Sequence, residues 1–73
     1  MIYNVVMIDR YADGEIEVNF KSYKDLDQAR AYYDHIIATH NARVIEGDEY
    51  YTVFDEDENG DFLIMEIMES RLN

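Results

Sequence analysis

Residues 15–40 read EIEVNFKSYKDLDQARAYYDHIIATH, and the fold turns on a change of period inside this stretch. At its start Ile16, Val18 and Phe20 alternate with Glu15, Glu17, Asn19 and Lys21, the period of two that a half-covered strand shows. From Leu26 onward, Leu26, Ala29, Tyr33, Ile36, Ile37 and His40 fall on one helical stripe, with Asp27, Arg30 and Asp34 turned away. A strand therefore gives way to an amphipathic helix over residues 24–40. Ser22 or Asp25 can cap its N-terminus, the latter with Gln28 three residues on, and Asp25 and Asp27 suit the positive end of its dipole. Asn41 is expected to end it in a left-handed conformation.

Outward from this stretch the chain returns to strand chemistry on both sides. Residues 2–10 (IYNVVMIDR) are rich in β-branched and aromatic types and precede Asp13-Gly14, which tolerates the positive φ of a tight primed turn, so the first two strands form a hairpin. After the helix come Val44-Ile45, Tyr50 to Phe54, and Phe62 to Met68, separated by Gly47-Asp48 and by the polar run Asp55 to Asp61. A second hairpin is expected to turn at Asn59-Gly60. The fold class is α+β: an antiparallel four-stranded sheet, β-β-α-β-β, with one helix on one face and Val44-Ile45 the candidate for an extra short strand.

The first and last strands are apolar on both sides, and one helix covers only one. Tyr3, Val5 and Met7 with Leu63, Met65 and Ile67 are expected on the uncovered side, closed by a homodimer or by the C-terminal residues folding back. Seven tyrosines exceed what so small a core needs and suit an interface. Adjacent Tyr32 and Tyr33, and adjacent Tyr50 and Tyr51, cannot both face inward.

Seventy-three residues make one domain, residues 1–73. Seventeen acids against six bases give a net charge of -11, which excludes direct binding to nucleic acid and to an acidic membrane. The absence of cysteine removes disulfides, thiolate nucleophiles and sulfur-bound zinc. With no long apolar run and no basic start to the chain, the expected location is the cytoplasm. Catalysis has little to work with: His35 and His40 are five apart and diverge around a helix, and the carboxylates in an exposed loop have nothing to raise a pKa, so an enzyme is not expected. Hence no cofactor is expected.

Between Val44 and Ser70 lie ten acids and no base. A rigid array of carboxylates can occupy a basic groove built for phosphates, and the expected partner-binding residues are Asp55, Glu56, Asp57, Glu58 and Asp61, flanked by Glu46, Asp48 and Glu49. The partner would be a host protein with a basic nucleic-acid-binding surface. The loop also invites an alternative. Asp55-x-Asp57-x-Asn59-Gly60, five residues, then Glu66 resembles the calcium loop of the EF-hand family, which implies calcium held by Asp55, Asp57 and Asn59 side chains, the Asp61 carbonyl and Glu66. Against it, an EF-hand needs helices on both sides, and Tyr50-Tyr51-Thr52-Val53 prefers a strand. A third reading is a structural protein whose charge only keeps it soluble.

In size, charge and lack of cysteine and proline, and in the run SYKDLDQARAYYDHI leading to YYTVFDEDENGDFLI, the chain resembles small proteins of bacteriophages and mobile elements. Proteins of that kind include anti-CRISPR proteins and DNA mimics that inhibit glycosylases and restriction enzymes. The resemblance implies an inhibitor and names no target.

Overall fold

A computed structural model of the chain describes residues 1–70. Its elements are β1 (Ile2–Arg10), β2 (Ile16–Tyr23), α1 (Leu26–Thr39), β3 (Arg43–Gly47), β4 (Tyr51–Asp55) and β5 (Phe62–Ser70). They form a five-stranded sheet in the order β2-β1-β5-β4-β3, each neighbouring pair antiparallel, with α1 packed on one face. The four-stranded expectation is thereby corrected. Val44-Ile45 belong to β3, which pairs with β4 through a register break between Val44 and Glu46. That bulge interrupts the alternation of side chains, so the segment shows only a short apolar pair where a longer strand exists.

The helix begins where the sequence puts its cap: the Asp27 amide donates to the Asp25 carboxylate at 2.8 Å. Its end differs. His40 is the last cap residue, in extended conformation, and Asn41 does not take positive φ, because the chain runs directly into β3. In the first hairpin Gly14 alone is left-handed, at φ +94°, and the Tyr11 carbonyl accepts from its amide at 3.0 Å, which makes a three-residue loop in place of a primed turn. The second hairpin does not turn tightly at Asn59-Gly60. It opens into a loop from Glu56 to Asp61, with Glu58 at φ 62° and Gly60 at φ 96°.

Register decides the faces. Val5 pairs with Ile67, Met7 with Met65, Thr52 with Met65 and Phe54 with Leu63, and these positions point to the helix. Val5, Met65, Phe54, Ala29 and Tyr33 are fully buried between the layers, with Leu63 and Ile67 nearly so. Full burial of one such apolar side chain contributes about 1.5–3 kcal/mol. The apolar set expected on the uncovered side is therefore the covered one. The open face carries the other set in rows across the strands: Val18–Ile8–Ile64–Val53, then Phe20–Val6–Glu66–Tyr51 on one side and Ile16–Arg10–Phe62–Asp55 on the other. Both sets are apolar, so composition does not choose between them. The choice follows from the hand of the β2-α1-β3 crossover, because β2 and β3, four antiparallel steps apart, run parallel.

Candidate acidic interface

Because β1 runs antiparallel to both β2 and β5, the β1–β2 turn and the β4–β5 loop leave the sheet at the same end. They are fastened to each other. The Ala12 amide donates to Asp61 Oδ1 at 2.8 Å, and Gly60 lies so close that a Cβ there would stand 3.3 Å from the Ala12 methyl. Each arm is also braced within itself: the Glu15 amide donates to Asp13, the Glu58 amide to Asp55 and the Asn59 amide to Asp57, at 3.0, 2.9 and 2.9 Å. A shallow depression of about 330 Å³ lies between the arms, lined by Tyr11, Ala12, Asp13, Glu15 and Asp61.

Asp13, Glu15, Asp57 and Glu58 are exposed here, with Asp61 half-exposed. The electrostatics are those of crowded carboxylates. Asp57 is held below the ordinary carboxylate range by the Asn59 amide and then by a hydrogen bond from the Asp61 side chain. Asp61 goes the other way: the Ala12 amide pulls it down, but the bond with Asp57, lost hydration and repulsion from Asp57 and Asp13 together outweigh that pull. Tyr11 donates to Glu17 at 2.9 Å, and this bond, with the surrounding negative charge, pushes its hydroxyl up to about 12. The C-terminal end of α1 points to the same region without a basic residue in its last turn, so its dipole adds to the negative potential.

Two of the expected site residues do more than face solvent. Asp55 lies 3.7 Å from Arg43, and the Glu56 carboxylate accepts a hydrogen bond from His40 Nε2 at 2.9 Å while the His40 ring meets the edge of Phe54. These tie the loop to β3 and to the helix. Asp9, beside them, is raised by burial, then by Glu56 and Glu17, against the pull of His40.

Glu46, Asp48 and Glu49 are elsewhere. They lie in β3 and the β3–β4 turn: Glu46 stands opposite Val53, two residues along β4 from Asp55, and Asp48 and Glu49 lie beyond the far end of β4, roughly 13 Å from the loop. Asp48 is committed to that turn, accepting from the Tyr50 and Tyr51 amides at 2.8 and 2.9 Å. The eight residues are thus not one surface. What the sequence did not reveal is that Asp13 and Glu15 join Asp57, Glu58 and Asp61; the Asp-Gly turn was visible, but the strand order that brings it there was not.

The EF-hand arrangement is not built. Both flanks of the loop are strands, Asp55 faces Arg43, the Asp61 carbonyl accepts from the Glu56 amide at 3.0 Å, and Glu66 sits on the open sheet face four residues up β5, roughly 13 Å along the strand from Phe62. Among the described residues no group of three or more His, Asp or Glu side chains is placed to hold a metal ion. Nor do they form a helix long and apolar enough to cross a membrane. Of the tyrosine pairs, Tyr33 is buried and Tyr32 half-buried under Lys21, whereas Tyr50 is exposed and Tyr51 lies on the open face. Compared with known families, characterised proteins and solved structures, the chain matches none.

Proposed function

We propose that this chain is a non-enzymatic acidic binding protein of the cytoplasm that occupies a basic, nucleic-acid-binding surface on another protein, its carboxylates standing in for phosphates. It would act as an inhibitor of the DNA-mimic type, as small phage proteins do against host defence or DNA-processing proteins. The observation that carries this reading is the Ala12–Asp61 hydrogen bond, which locks two acidic arms into one end of the molecule. A floppy acidic tail must be ordered when it binds, at a cost in entropy; braced carboxylates avoid most of that cost. Merely solubilising charge needs no such bracing.

The test starts from bacterial proteins held on double-stranded DNA beads. At low salt the chain should release a specific protein, and release should fade steeply as salt rises. The double variant Glu15→Lys, Glu58→Lys alters two exposed side chains that brace nothing, so it should stay folded and release nothing. If no protein leaves the beads, or the folded variant releases the same protein equally well, the reading fails.

A further inference from the structure

The open face of the sheet is an apolar surface that nothing among the described residues covers. Ile16, Val18 and Phe20 on the edge strand β2 are 62, 58 and 65% exposed, and a depression of about 250 Å³ opens between Arg10, Tyr51, Val53, Phe62 and Ile64. A chain with a net charge of -11 repels its own copies. On this face the repulsion is nearly absent, because Arg10 and Arg43 stand against Glu46, Asp55 and Glu66.

Where those charges stand is informative. Val18–Ile8–Ile64–Val53 forms a wholly apolar central row, Glu66 lies in the row on one side of it and Arg10 in the row on the other, on adjacent strands. Neither Arg10 nor Glu66 has an ion-pair partner among the described residues. Consider a two-fold axis between two facing sheets, perpendicular to the strands and over the Ile8–Ile64 row. It lays β5 on β5 and exchanges the flanking rows, so each Glu66 comes to the row that holds Arg10 of the second copy, twice per dimer. Facing sheets pack about 10 Å apart, a gap that two long side chains can bridge.

We infer that the chain forms a symmetric face-to-face dimer through this open face, closed by reciprocal Arg10–Glu66 pairs between copies. The occupant is a second copy because the face complements itself: its apolar row lies on the axis and its opposite charges lie at equal steps from it. The area suffices. Five strands about 4.8 Å apart and the three rows that the axis superposes, about 6.8 Å apart, give roughly 500 Å² a side, hence about 1,000 Å² in total, which reaches the threshold of a specific interface. This inference does not depend on what the acidic end binds.

The experiment is a charge swap followed by sedimentation from 1 to 300 µM, with circular dichroism on every variant. Wild type should dimerise. Arg10→Glu places two carboxylates at each contact and Glu66→Arg two guanidinium groups, so each single change should weaken association by at least about a hundredfold. Arg10→Glu combined with Glu66→Arg should restore the dimer. Should either single variant lose its fold, Phe20→Ser replaces a side chain that is 65% exposed in the free chain and should give a folded monomer. The inference is overturned if wild type is a monomer at 300 µM, if the folded single variants or Phe20→Ser dimerise as tightly as wild type, or if the swap fails to restore association. Unweakened dimers in the variants would indicate pairing through the backbone edge of β2.

Discussion

Tyr33→Phe removes one hydroxyl and leaves the ring that fills the space between helix and sheet. That hydroxyl donates to the Asp48 carbonyl at 3.1 Å and is hydrogen-bonded to Thr52 Oγ1, and Thr52 is only 2% exposed. Asp48 is exposed, so its carbonyl recovers a water molecule; the Thr52 hydroxyl cannot. An unsatisfied buried hydroxyl costs about 1–3 kcal/mol. In a domain of this size each kcal/mol lowers Tm by roughly 4–8 °C, so the variant should melt on the order of 10 °C below wild type. Thr52→Val added to Tyr33→Phe removes both partners, and the pair of changes should cost clearly less than the sum of the two alone. Urea and thermal unfolding at one fixed protein concentration, followed by circular dichroism, measure all four corners of the cycle. A Tyr33→Phe protein within about 0.3 kcal/mol of wild type, or a strictly additive cycle, would show that the bond does not hold the β3–β4 turn to the helix.

Asp25→Ala removes the helix cap and should cost about 1 kcal/mol, read as a Tm lower by roughly 4–8 °C. Glu58→Asn exchanges a residue at φ 62° for one that tolerates the left-handed region, and a Tm higher by a few degrees is expected. Asp9 titrates above the ordinary carboxylate range when folded, so the folded chain holds the proton better than the unfolded one. The stability this provides is complete below the unfolded value of about 3.9 and is lost as pH rises through the folded one. Asp9→Asn should therefore melt above wild type at pH 7, with the gap closing below about pH 3.5 in thermal melts.

The helix was legible because its signal is local: Ala29, Tyr33, Ile36 and Ile37 share a face whatever the rest of the chain does, and Asp25 sits where a cap must. Strand β3 was half-hidden because its bulge breaks the alternation that identifies strands. Which face of the sheet is covered is not legible in the sequence, for a different reason. Val6, Ile8, Phe62 and Ile64 are as apolar as Val5, Met7, Leu63 and Met65, and only the path of the β2-α1-β3 crossover separates them. The acidic loop was visible as charge, but its closest companion lies 49 residues away in the Ala12–Asp61 bond. Asp55 and Glu56 read as loop-tip acids and are in fact held by Arg43 and His40, so reversing all four acids from 55 to 58 would disturb the fold as well as the surface.

The acidic end and the open face constrain each other through the choice of two-fold axis. An axis parallel to the strands would bury as much apolar surface, but it would set both acidic ends at the same end of the dimer, about one sheet spacing, or roughly 10 Å, apart. At physiological salt the screening length is about 8 Å, so Asp13, Glu15, Asp57 and Glu58 of the two copies would repel through little more than one screening length. It would also set each Glu66 against the Val6 row of the other copy, away from any cation. The perpendicular axis sends the acidic ends to opposite sides of the Ile8–Ile64 row: Asp61 lies three residues, roughly 10 Å, from Ile64, so the two loops stand roughly 20 Å apart along the strands, more than two screening lengths. Glu66 then meets Arg10. Repulsion between the carboxylates thus selects the same geometry that pairs Arg10 with Glu66, the two charges of the open face without an ion-pair partner among the described residues.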